Sequence, residues 1–182
     1  MNNNIERRNF DIGVPKEPSE DSFIVCGYAA TFDTAYCPYI GIDFKEIIAR
    51  DAFSSADMKD VVFLCEHEGN VLARTLNDSL VLWTNEVGLA IKADLGATEA
   101  GRELYRSVKA RLVTQMSLAF TRNASEYDKH SDAETITSIK KVYEVSAVWL
   151  PANPETIIQA RRKQAGAGLS DKQKAALKLA LI

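Results

Sequence analysis

With 182 residues, 46% of them hydrophobic and 26% charged, the chain is long enough for one globular domain with a full core and short appendages. A formal charge of −3 and an isoelectric point near 5.5 exclude a general affinity for nucleic acid or anionic membranes. The start holds no apolar segment of signal-peptide length and no later stretch approaches ~18 apolar residues, so a soluble, non-secreted protein is expected.

Residues 1–21 are polar, carry Pro15 and Pro18, and read as a flexible N-terminal arm. A strand is expected from Ser22 to Thr31, where apolar, β-branched and aromatic residues dominate. Cys26, Cys37 and Cys65 cannot all pair within one molecule, and their spacings match no zinc framework. Reduced thiols in a cytoplasmic setting, with no cofactor and no metal, are the expectation. Residues 36–42, with Pro38 and Gly41, read as a loop, and Phe44, Ile47 and Ile48 at spacings of three and four predict a short helical piece. Strands are expected at 61–65, 80–84 and 88–93, with Asn77-Asp78 and Asn85-Glu86 marking turns.

The clearest helix spans about 99–111. Thr98 can cap it, Glu99 and Glu103 suit its positive end, and Ala100, Leu104, Val108 and Leu112 repeat on one face. Strands resume at 115–121 and 135–150, and Pro151 and Pro154 stop the second. A small-residue linker at 164–170 leads to a last helical stretch at 171–182. From Arg161 onward there are six bases against one acid, so the end carries about +5 and the rest about −8. About seven short strands with one strong helix argue against a parallel βαβ sheet. They predict a mostly β (α+β) fold: a closed or nearly closed, mixed, mainly antiparallel barrel with helices outside. The domain boundaries expected are 1–21 for the arm, 22–162 for the body and 163–182 for linker and helical tail.

Imidazole chemistry is localised by scarcity, because there are two histidines. His67 closes the apolar run 61–67 and is the better candidate base, while His130 lies in a polar loop. Ser117 sits in the apolar segment 115–120, with Ala119 on its own face. Glu144 shares a face with Val142, Ser146, Val148 and Leu150 in a strand apolar on both sides, so its carboxylate is expected to be buried and to need a partner. A serine, a histidine and an acid are the parts of a nucleophilic triad. Each also has an ordinary structural explanation: a satisfied strand hydroxyl, a packed imidazole, a buried ion pair. Cys65, two residues from His67, raises a Cys/His alternative, weakened because neighbours on one strand face point in parallel.

Taken together, these segments resemble the caudovirus prohead proteases, the capsid-maturation serine peptidases of tailed phages, over roughly residues 22–162. The markers are Gly27-Tyr28-Ala29 with Phe32, Phe44-Lys45-Glu46 with Ala52-Phe53, and His67 followed by Leu72-Ala73-Arg74-Thr75. After these come Gly88-Leu89, Met116-Ser117-Leu118-Ala119-Phe120, and Glu144-Val145-Ser146 leading to Pro151-Ala152-Asn153-Pro154-Glu155-Thr156. The resemblance implies a fold similar to the herpesvirus assembly proteases. It makes Ser117 the nucleophile, His67 the general base and Glu144 the third member, with His130 a weaker claimant to that place. Backbone N–H groups of Ala152 and Asn153 would form the oxyanion hole.

It further implies an endopeptidase inside assembling proheads in the host bacterial cytoplasm. Its substrates would be the major capsid protein and a scaffold segment, then the protease itself, with self-association and without nucleic-acid or membrane partners. The alternatives are a non-catalytic scaffolding or capsid-binding protein on the same fold, and an unrelated barrel-type binding module. The family usually has Asn before the histidine and a glycine in the serine segment, where this chain has Glu66 and Ala119. Neither departure removes a reacting group; both bear on local backbone geometry.

Overall fold

The longest run of alternating residues sets the architecture. In the computed structural model, which describes residues 6–10, 19–38, 44–149 and 158–163, this run becomes two long antiparallel strands, β8 (Gln115–Asp128) and β9 (Ala133–Val148). They are joined by a turn in which Asp128 accepts from the His130 N–H and the Ser131 hydroxyl. Each neighbour of this hairpin is a shorter strand. β1 (Glu6–Phe10) runs antiparallel along β8. On the far edge of β9, β3 (Lys45–Ile48) pairs with residues 133–136 and β4 (Val62–Cys65) with residues 144–147, both parallel to it. β5 (Glu68–Arg74) returns antiparallel to β4 and completes a six-stranded mixed sheet.

A second, four-stranded sheet holds β2 (Ser19–Thr31), β6 (Leu80–Thr84), β7 (Gly88–Asp94) and β10 (Ile158–Lys163) in the order β10-β2-β7-β6. β2 and β7 approach closely: a Cβ on Gly88 would lie 1.8 Å from the Ala30 carbonyl oxygen, so no side chain fits there. The helix α1 (Glu99–Lys109) is capped as the sequence predicts, Thr98 Oγ1 accepting from the Gly101 N–H at 3.0 Å. It packs its Tyr105 ring edge-on to Phe23. One apolar cluster joins both sheets and the helix, including Val25, Ile91, Leu104, Leu118, Phe120 and Val145.

Three expectations are corrected here. Among the described residues no sheet closes, so the predicted barrel is instead two open sheets, the six-stranded one mixed and the four-stranded one antiparallel. Closure needs the two sheets to share a hydrogen-bonded edge. At the crossing from β5 to β6 the ladder is interrupted by a single 3₁₀ turn, Thr75–Asn77, followed by Asp78 at φ 58°. There the Arg74 N–H donates to the Ser79 hydroxyl, not to a strand. The chain thus changes sheet without pairing across the gap.

The helical piece predicted around Phe44 is the strand β3. Glu46 and Ile48 point inward and Lys45 outward, a period of two. Buried Glu46 is satisfied by the Tyr36 hydroxyl at 2.9 Å, with Arg122 nearby, itself bridged to Glu134 at 2.6 Å. The third correction is Leu112, which leaves the face of α1 and is exposed, because the helix stops and Arg111 takes φ 60°.

Candidate active site

Register brings the polar residues of the core together. Opposite residues of an antiparallel pair share a face, and Ser117 lies opposite Ser146 while Ala119 lies opposite Glu144. Ser117, Ala119, Glu144 and Ser146 therefore occupy one side of the β8–β9 hairpin. Ser117 is 1% exposed and Glu144 7%. On the other flank of β9, β4 aligns Val62 with Glu144 and Cys65 with Ala147, so β4 ends just past the acid.

β4 runs directly into a two-residue hairpin turn, with Cys65 paired to Glu68 and both intervening residues at positive φ, Glu66 at 53° and His67 at 63°. Such turns favour Asn and Gly, which tolerate the left-handed region. A Glu-His pair there costs about 1–3 kcal/mol per residue and persists only where surroundings hold it. The end of β9 does so twice. The Glu66 N–H donates to the Ala147 carbonyl at 3.0 Å, and Glu66 Oε1 accepts the Trp149 N–H at 2.8 Å. Glu66, where the family that the chain resembles usually has Asn, is a longer side chain that reaches β9.

Held in this way, His67 turns Nδ1 onto Glu144 Oε1. The pair is half-shielded, with side chains 21% and 10% exposed. The Ser146 hydroxyl donates to the same carboxylate oxygen at 3.3 Å. A carboxylate on Nδ1 fixes the tautomer that leaves Nε2 for proton exchange. Ser146 has no role in the sequence reading, although it stands two residues from Glu144 on the same face, which is its signal; Glu66 enters there only as a departure that bears on backbone geometry.

His130 is elsewhere. It lies exposed in the β8–β9 turn, roughly 35 Å along the strand from Ser117 at about 3.3 Å per residue. Ala152 and Asn153 lie outside the described residues. Cys65 is half-buried at the end of β4, and because His67 is in the turn, the two do not share a strand face. Burial, with the Glu66 charge adding to it, pushes the Cys65 thiol above its ordinary value and keeps it protonated at neutral pH. Cys65→Ala should therefore leave peptidase activity within about twofold, and iodoacetamide should modify Cys65 more slowly than a free thiol; inactivation by either would make sulfur the nucleophile.

Residues 10–170 match the family model of the caudovirus prohead serine proteases. The chain belongs to that family. No curated protein and no solved structure matches it. As a prohead serine protease it is a hydrolase of bacteriophage capsid maturation, acting on capsid or scaffold proteins within assembling capsids. Among the described residues of this protease no helix is long and apolar enough to cross a membrane. The matched span takes in Ser117, His67 and Glu144 and leaves out Glu6 to Asn9 of β1.

Proposed function

We propose that this prohead protease cleaves peptide bonds through a Ser117–His67–Glu144 triad. The observation that carries the reading is the His67 Nδ1–Glu144 contact, made on the sheet face that also bears Ser117. His67 Nε2 takes the Ser117 proton as the hydroxyl oxygen attacks the scissile carbonyl carbon, and later returns it to the departing amine. Glu144 orients the ring and stabilises its charged form. Water then repeats the sequence on the acyl-enzyme and frees the serine. The backbone N–H groups of Ala152 and Asn153 hold the oxyanion.

The substrates are the major capsid protein and its scaffold segment, followed by the protease itself. The working body is 22–162, with 1–21 as an arm. The basic tail, 163–182, docks the enzyme on its substrates until self-cleavage releases it. A fluorophosphonate probe tests the chemistry directly. Peptide mapping should find one adduct, on Ser117. Labelling at another serine, or none on folded protein, would overturn the assignment.

A further inference from the structure

β8 is a half-open strand. β9 covers one side along its whole length, but on the other side its only described strand neighbour is β1, over Met116–Phe120. That neighbour is weakly specified. It is five residues long, Glu-Arg-Arg-Asn-Phe, with three charged side chains and few residues that favour strands. It ends the sheet, so no further strand is hydrogen-bonded to it, although it also lies against β2. The segment to β2 contains Gly13, Pro15 and Pro18, a composition of linkers rather than of packed strands. Glu6 to Asn9 also precede the span that matches the family. Without β1, the β8 edge would present a row of main-chain donors and acceptors, which is a template for another extended chain.

The register gives this edge a meaning. Asn9 lies directly opposite Ser117, so the chain occupying β1's place passes one strand spacing, about 4.8 Å, from the proposed nucleophile. We propose that the β8 edge at Met116–Phe120 is the docking site for an extended segment of a protein substrate, and that β1 is its internal occupant. An incoming strand pairs antiparallel with β8 after β1 leaves, and its main-chain carbonyls are drawn alongside Ser117. The selection made by the edge itself is for extended, unpaired chain, since ladder bonds read backbone and not side chains. Folded capsid protein is thereby refused while an exposed linker or scaffold segment is accepted. The arm sets a threshold, because apparent affinity falls by the fraction of time the edge is free. This extends the triad reading to its substrate's conformation and rests on it for Ser117's role.

The test uses full-length Ser117→Ala protein, so that binding is measured without turnover. The probe is a fluorescent peptide of residues 5–11, read by anisotropy. Successive N–H groups along a strand point to opposite edges, so of Arg8 and Asn9 one donates towards β8 and the other away. Introduced singly into the protein, Arg8→Pro or Asn9→Pro should loosen β1, and the one that removes the inward N–H should raise peptide affinity about tenfold. The other should raise it less. Hydrogen exchange on the unsubstituted protein provides the second reading: amides of β1 should exchange well before those of β9. Failure of both folded proline variants to take up peptide, or β1 protection equal to that of β9, would overturn the proposal. Fluorophosphonate labelling of the protein with Ser117 intact reports on the triad alone, so failure of docking and failure of the triad are distinguishable.

Discussion

Ser117→Ala should abolish processing of capsid and scaffold protein, with a fall in turnover of about ten-thousand- to a million-fold, while the protein stays folded. The size follows from the role: loss of one member of a nucleophilic triad removes the function of the whole unit, and what remains is catalysis by binding and oxyanion stabilisation. The small structural effect follows from the site. Ser117 is buried near the start of β8, with Ala119 beside it on the same face. Removing one hydroxyl there costs about 1 kcal/mol, the net worth of a hydrogen bond. Co-expression with the capsid protein, scored by gel, reads the first effect and a thermal melt the second. Undiminished processing by the variant would remove Ser117 from the reaction.

Glu144→Gln should lower turnover by about ten-thousand-fold with a modest change in stability. The amide keeps the shape of the carboxylate but not its charge. It can also present an NH₂ group to His67 Nδ1, which favours the wrong tautomer. The buried position no longer holds a charge, so folding loses little. Single-turnover kinetics on a peptide substrate separate this from a binding defect, since kcat should fall far more than KM changes. His130→Ala, at the exposed turn, should leave kcat in place. Normal turnover in Glu144→Gln would take the carboxylate out of the mechanism.

Elements whose residues pack on themselves were legible in the sequence. The strand at 80–84 and the helix cap at Thr98 lie where predicted, because alternation and capping are local. The polar edge strands of the six-stranded sheet were not. In β5 the first four residues, Glu68 to Val71, are exposed, so no alternation marks them. β1, Glu-Arg-Arg-Asn-Phe, is polar in sequence and shows no alternation either. Closure was illegible because it depends on which distant edges meet. Ser117 and Glu144 stood out as polar residues inside apolar strands. The turn carrying His67 did not, since Glu66-His67 lacks the residues that announce positive φ.

The parallel pairing of β4 with β9 also fixes when the site can exist. His67 and Glu144 lie 77 residues apart in the chain, and parallel partners so distant are joined late, after nearer hairpins have formed. During synthesis the serine strand emerges before the acid does. A nascent chain therefore owns a histidine in an unanchored turn and a serine with no activated base. With the proposed triad, base and acid meet only when this separation is closed, so a chain whose β9 is still to be synthesised would carry no activated serine.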